Sequence, residues 1–272
     1  MQSELRILFI GDVFAQFGRK AVKEMLQLLI SKHKIDFTVA NGENIAGGSG
    51  ITHETVRELF NSGVDCITTG NHVWRQREGH SILDDDPRVL RPANYHKSVP
   101  GDEYGVYVVK GVNIGVFNLL GRVYMDPLDS PFEKADSVLA ALKGQADITL
   151  CDFHAEATSE KVAMGWYLDG RITAVVGTHT HIQTADERIL DNGTAYITDA
   201  GMTGSHDSVI GVQKDLIIKR FLDNMPVTFK PAEKDIWING VIITCDPTSG
   251  KATTIERLQL RGVDKNGYFI KG

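Results

Sequence analysis

Gly177-Thr178-His179-Thr180-His181 follows directly on the apolar run Ala174–Val176. The pattern recurs along the chain. Asp12 closes Arg6-Ile-Leu-Phe-Ile-Gly-Asp12, and Glu43 and Asn44 stand in Asn41-Gly-Glu-Asn44. Gly70-Asn71-His72 and Asp152-Phe-His154 complete the set. Short apolar runs of this kind read as buried strands of a parallel sheet. Open α/β sheets bind ligands beyond the carboxyl ends of their strands. Five separate segments are therefore expected to bring carboxylate, amide and imidazole groups to one edge of one sheet. The most economical purpose of that collection is a two-metal hydrolytic site.

The remaining strand signals are Phe37–Ala40, Asp65–Thr69, Gly105–Val109, Asn113–Asn118, Asp147–Asp152 and Ala195–Thr198, with Gly240–Cys245 and Thr253–Gln259 late in the chain. Helical spacing separates them. Arg19–Ser31 puts Val22, Met25, Leu26 and Leu29 on one face. His53–Asn61 runs to Gly63, a natural cap. Ser130-Pro-Phe-Glu133 has the form of a capping box with proline at the first helical position, and Gly144 closes that helix. Gln213–Phe221 carries a weaker helical pattern. Alternation of strands and helices predicts an α/β fold, with the late strands and Tyr104–Asn118 as antiparallel additions. No linker, repeat or boundary divides residues 1–272, so a single domain is expected.

A net charge of −6 over 272 residues disfavours a long nucleic acid or an anionic membrane as partner. No apolar run is long enough to span a bilayer, and Met1-Gln-Ser-Glu-Leu-Arg-Ile7 lacks the features of a secretory signal. Cys66, Cys151 and Cys245 are an odd number and each lies in an apolar run, which reads as reduced core thiols and favours the cytoplasm. Gly47-Gly48-Ser49-Gly50 matches neither phosphate-binding glycine fingerprint and reads as a loop beside Asn44.

The candidate metal ligands are Asp12, Glu43, Asn44, Asn71, His154, His179 and His181. Imidazoles move the preference away from magnesium and calcium toward manganese, iron or zinc. The absence of cysteine from these clusters argues against a structural zinc site. Each residue also has a plainer reading. Asp12 could cap a helix, the asparagines could serve turns, and His154 could be a hydrogen-bonded buried residue. Two histidines at i and i+2 after an apolar run are costly to desolvate unless they bind something. His72 follows Asn71 directly, so both cannot easily reach one ion. A histidine beside the metals can protonate a leaving oxygen, the alternative being that it orients a ligand.

These blocks resemble the calcineurin-like metallophosphoesterases, and more narrowly their bacterial YmdB-like phosphodiesterase branch. Further matching segments are Arg91-Pro-Ala-Asn94, Asp152-Phe-His-Ala-Glu-Ala-Thr-Ser-Glu-Lys161, Gln183-Thr-Ala-Asp186 and Asp199-Ala-Gly-Met-Thr-Gly204, in family order along nearly the whole chain. The resemblance implies a four-layer α/β/β/α sandwich. It implies one ion on Asp12, Glu43, Asn44 and His181, with Glu43 bridging to a second ion on Asn71, His154 and His179. It also implies His72 as proton donor, iron or manganese as the metals, and cyclic-nucleotide phosphodiesterase activity. Phe14 stands where the wider superfamily has a histidine, Glu43 replaces its second aspartate, and Val73 follows His72 where many relatives carry an acid. These departures fit the YmdB-like branch.

The expected reaction is hydrolysis of a 2′,3′- or 3′,5′-cyclic nucleotide by metal-activated hydroxide, with His72 as the acid. A phosphomonoesterase or nuclease using the same site is the rival within hydrolases. A metal-binding regulatory or scaffold protein with weak turnover is the rival outside them. Arg91, Asn94 and Arg122 are candidate substrate contacts, although salt bridges explain the arginines equally well. Oligomeric state is open in the sequence. Tyr167, Trp74 and Met202 are expected in exposed loops suited to contacts between subunits.

Overall fold

Leu5, Ile7 and Phe9 point to one side of the first strand, Leu8 and Ile10 to the other, and all five are buried. A strand apolar on both faces must be covered on both. In the computed structural model, which describes residues 4–263, the first half runs β1 (Leu5–Ile10), β2 (Asp12–Val13), α1 (Ala15–His33), β3 (Phe37–Asn41), α2 (His53–Ser62), β4 (Cys66–Thr68), α3 (Glu78–Asp85) and β5 (Val89–Leu90). Then come β6 (Tyr104–Val109), β7 (Val112–Leu120), α4 (Pro131–Leu142), β8 (Ile148–His154), α5 (Thr158–Leu168), β9 (Ala174–Thr178), β10 (Arg188–Ile189) and β11 (Ala195–Ile197). The last elements are β12 (Met202–Ser205), α6 (Lys214–Asp223), β13 (Ile236–Asp246) and β14 (Lys251–Val263).

One sheet has the order β2-β12-β13-β1-β3-β4-β5, with β14 also paired to β13. The other has the order β10-β11-β9-β8-β7-β6. Leu5, Ile7, Phe9, Phe37 and Val39 of the first sheet meet Val116, Leu150, Val176 and Ile197 of the second in a shared core. Behind the first sheet, Leu8, Ile10, Ala40 and Ile67 pack on Val22, Met25 and Leu26 of α1, Leu59 of α2 and Leu83 of α3. Behind the second, Phe117, Cys151, Phe153 and Val175 pack on Val138 of α4 and Met164 of α5. The layers are therefore α/β/β/α, as the resemblance implied.

The Gly63 cap falls where expected, and of the expected Ser130–Glu133 capping box only one half forms among the described residues. Gly63 ends α2 at φ +108°, and the Ser130 hydroxyl accepts the Glu133 amide ahead of Pro131. Two helices lacked a readable signal. α3 is eight residues long. α5 buries Glu160 and Lys161 on its inner face, so its apolar stripe is broken. The antiparallel reading holds for β13 against β1 and β14, and for β6 against β7. It fails for β7 on its other edge, which runs parallel to β8. The three cysteines are buried and free. Met202 is 2% exposed within β12, so it offers no contact surface. Tyr167 is exposed but belongs to α5, and Trp74 packs partly buried against the first core, so neither is an exposed loop residue. Among the described residues no helix is long and apolar enough to cross a membrane.

Leu150 lies in the core between the sheets, at 1% exposure, whereas Val108 on the edge strand β6 is 74% exposed. Leu150→Ala is expected to lower unfolding free energy by about 2–5 kcal/mol. Val108→Ala should stay within about 0.5 kcal/mol. Urea unfolding measures both, and equal losses would contradict the layering.

Candidate metal centre

The seven candidate ligands come from two sheets, not from one sheet edge as the sequence suggested. Asp12 follows β1, Glu43 and Asn44 follow β3, and Asn71 and His72 follow β4, all in the first sheet. His154 ends β8, and His179 and His181 follow β9, in the second. In both sheets these are carboxyl ends of mutually parallel strands. The two sets meet at the rim of the shared core.

Glu43 is the hub. Its Oε2 lies 3.1 Å from His154 Nε2, and its Oε1 accepts from Asn44 Nδ2 at 2.8 Å. Asn71 Oδ1 is 3.1 Å and His179 Nδ1 is 2.9 Å from the same His154 Nε2. On the other side, Asn44 Nδ2 is 3.3 Å and Asp12 Oδ1 is 3.8 Å from His181 Nε2. Among the described residues two ligand groups result, Glu43–His154–His179 and Asp12–Glu43–His181, each with its atoms within 4.8 Å of one another. Only Glu43 belongs to both.

Each imidazole is fixed from behind. His154 Nδ1 donates to Thr178 Oγ1 (2.9 Å), whose hydroxyl donates to Asp152 Oδ1 (2.6 Å). His179 Nε2 faces Glu156 Oε2 at 3.1 Å, and His181 Nδ1 donates to the Ile210 carbonyl at 3.0 Å. Each far nitrogen thus has an acceptor, which leaves the inward nitrogen as the one able to hold a cation.

Charge and space fit a cation. Asp12 Oδ1 is buried with no hydrogen-bond partner. A Cβ at Gly70 would run into the Glu43 carboxylate and the His154 ring, so only glycine leaves that space open. Burial pushes the Asp12 carboxyl up. Burial acts the same way on Glu43, but His154 and His72 outweigh it and hold Glu43 well below the usual range. Burial opposes the charge on His154, yet the Glu43 carboxylate pushes it up to about 9. His179 goes the other way, down to about 3, through burial and the neighbouring charge on His154. Buried carboxylates that draw a proton onto one imidazole are equally suited to a metal ion. Oxygen and imidazole donors together suit manganese, iron or zinc.

His72 sits beside this cluster. Its Nδ1 is 2.8 Å from Asn44 Oδ1 and 3.3 Å from Glu43 Oε1. It lines a cleft of about 410 Å3 that also includes Glu43, Asn44, His179 and His181. Arg91, Asn94 and Arg122 do not line the cleft. Arg91 is 2% exposed and binds the Gly101 and Pro92 carbonyls. Asn94 ties the Leu120 and Asp129 backbones, and Arg122 is exposed elsewhere. Four supporting residues had no role in the sequence reading, namely Asp152, Thr178, Glu156 and Asp199. An acid two residues before His154 and another two after it were the available signal.

A four-layer sandwich carrying a carboxylate–histidine cluster where both sheets end defines the metallophosphoesterase class. The chain belongs to the YmdB-like protein family, whose model matches residues 8–258. It is 50% identical over 265 residues to a Bacillus subtilis (strain 168) protein named 2′,3′-cyclic-nucleotide 2′-phosphodiesterase, covering 97% of this chain and 100% of that protein. A crystal structure of a hypothetical protein from Thermus thermophilus superposes with TM-score 0.88 at 39% identity, over 94% of this chain and 99% of that one. A Mycoplasma pneumoniae structure described as a novel phosphatase has TM-score 0.90 at 33% identity, over 96% and 95%.

Thr178→Val keeps the side-chain shape but breaks the relay from His154 to Asp152. Affinity for manganese, measured by calorimetric titration, is expected to fall about 10–100-fold. Unchanged affinity would show that Thr178 does not orient His154.

Proposed function

We propose that this metal-dependent phosphoesterase hydrolyses nucleoside 2′,3′-cyclic phosphates with two transition-metal ions, iron or manganese. The observation that carries the reading is the membership of Glu43 in both ligand groups. One carboxylate shared by two clusters suits a bridged pair of ions. Asp12 and His181 would then hold one ion, with Asn44 joining them through its amide oxygen after a turn of the amide that now directs Nδ2 at His181, and Asn71, His154 and His179 would hold the other. The substrate class is supported by the half-identical Bacillus subtilis relative and its name.

Bound metal supplies Lewis acidity toward the phosphate and a water ionised near neutral pH. The chain's own residues do the rest. Attack of one water on phosphorus breaks the bond to O2′ and leaves a 3′-phosphomonoester. The departing O2′ takes up a proton. In this reading His72 gives it, which the contacts of Nδ1 to Asn44 and Glu43 support. Among the described residues His72 Nε2 has no hydrogen-bond partner, and the ring borders the cleft. In the doubly protonated ring, Nδ1–H is held and Nε2–H is free to transfer.

The Mycoplasma pneumoniae relative, described as a phosphatase, keeps the monoester reading in play. The protein reconstituted with manganese should therefore be assayed on 2′,3′-cyclic AMP, 3′,5′-cyclic AMP and p-nitrophenyl phosphate. The highest kcat/KM is expected for the 2′,3′-cyclic ester. Equal or greater efficiency on the monoester would reject a diesterase.

A second prediction concerns His72. General acid catalysis is worth about 10²–10⁴-fold. A ribose alkoxide leaves poorly unless protonated, whereas p-nitrophenolate leaves readily. His72→Ala should cost about that factor on the cyclic nucleotide and much less on bis(p-nitrophenyl) phosphate, at unchanged metal content. Equal losses would assign His72 to positioning the phosphate instead.

A further inference from the structure

The cleft has two unlike ends. One is the polar cluster just described. The other is formed by Phe14, Ile210, Val212, Phe229 and Pro231, together with the Gly47-Gly48-Ser49 turn. Phe14 joins the two ends, for its ring stands edge-on to His181 at 5.7 Å between centroids. A Cβ at Gly48 would lie 2.9 Å from the Phe14 ring, and one at Gly211 would lie 2.7 Å from it. Both glycines also have positive φ. Both turns therefore close on the Phe14 ring and shape an apolar slot beside the candidate metal ligands.

The slot is built in advance. Val212 bridges both Val209 and Pro231, Gln213 N donates to Lys230 O at 2.9 Å, and Ala232 N donates to Gly211 O at 2.8 Å. The Arg220 guanidinium lies 5.1 Å from the Phe229 ring centroid. Yet Ile210 and Phe229 are each 50% exposed. Apolar side chains held in place, left open to water and continuous with a catalytic centre favour a flat apolar-faced ligand group.

We propose that this end is a nucleobase subsite that recognises the presence of a base and not its identity. The proposal rests on the 2′,3′-cyclic nucleotide reading. Its basis is the lack of directional groups in the slot. Five of its side chains carry no donor or acceptor, and the Ser49 hydroxyl is the one polar side chain among the slot residues named. The nearby backbone is largely committed. Gly48 N donates to Asn44 O, Ser49 N to Ala46 O, Val212 N to Val209 O and Gly211 N to Ser208 Oγ. The Ile210 carbonyl takes His181 Nδ1, and the Ser49 carbonyl takes Gln76 Nε2. Stacking on apolar and aromatic side chains tolerates any base, because each has a π-face.

The test compares the 2′,3′-cyclic phosphates of adenosine, guanosine, cytidine and uridine with that of methyl β-D-riboside, which has no base. The wild-type protein should prefer every nucleotide to the methyl riboside by about 5- to 100-fold in kcat/KM. The four nucleotides should agree within about tenfold. Phe229→Ala and Ile210→Ala should collapse the preference mainly through KM, and should weaken binding of the product 3′-AMP measured by calorimetry. Equal turnover of methyl riboside and nucleotide would overturn the subsite while leaving the phosphodiesterase reading intact. A single strongly preferred base would overturn base-tolerant recognition. No turnover of any cyclic ester by metal-loaded protein would overturn both readings.

Discussion

The Lys161–Asp199 ion pair holds the loop on which both halves of the metal cluster depend. Lys161 Nζ lies 2.7 Å from Asp199 Oδ2, with the two residues 1% and 0% exposed. The same oxygen accepts Thr180 N at 3.1 Å and Thr180 Oγ1 at 2.7 Å, while Oδ1 accepts Gly201 N at 2.8 Å. The neighbours of Thr180 are strained. His179 has φ +100° and His181 has φ +66°, conformations that cost roughly 1–3 kcal/mol each and persist only where surroundings over-determine them. Asp12 accepts the His179 amide, and the His181 carbonyl takes Met202 N. Removing one member of a buried pair leaves an uncompensated charge. Loss of Asp199 would remove the acceptor of Thr180, and loss of Lys161 would leave that acceptor buried without its cation.

A second buried carboxylate does for the sheets what Asp199 does for the loop. Asp152 on β8 accepts Thr178 Oγ1 from its own sheet, and Thr68 Oγ1 at 2.5 Å and Asn41 Nδ2 at 2.9 Å from the other. Burial pushes its carboxyl up to about 6, against the opposing charge of His154 and these three donors. Apolar faces can slide by a fraction of a side chain at little cost, but hydrogen bonds to a buried acid cannot. The polar seam thus fixes the register between sheets directly behind His154. A site divided between two sheets keeps its geometry for this reason.

The legible part of the protein is the part with a local signal. Short apolar runs marked the central strands, and polar residues after each marked Asp12, Glu43, Asn71, His154 and His179. Their division between two sheets was hidden, because a parallel strand carries no sign of which sheet it joins. Glu160 and Lys161 disguised α5 for a related reason, since their value lies in buried contacts to Arg122 N and Asp199 made far along the chain. The apolar end of the cleft had no signature at all. Ile210, Val212, Phe229 and Pro231 lie outside any helix or strand, and only the folded chain gathers them beside Phe14.

The cleft also shows how the charge of a phosphate must be met. Among the described residues its lining contains no lysine or arginine, while Glu43 and Glu156 belong to it. Arg91, the buried arginine nearest in character to an anion ligand, spends its guanidinium on backbone carbonyls and on Glu103. A phosphodiester approaching these side chains alone would meet Glu43 and Glu156 and, among the described residues of the lining, no lysine or arginine. In the proposed ligand set only Asp12 and Glu43 are anionic, and the histidines and asparagines are neutral donors. Two divalent ions would then leave a net positive floor, as an anionic ester requires. Among the described residues the cleft is thus lined by carboxylates and imidazoles, with the Gly70 gap beside Glu43 and His154. That arrangement is intelligible for a metal-dependent hydrolase, and it is poorly suited to holding a phosphate without metal.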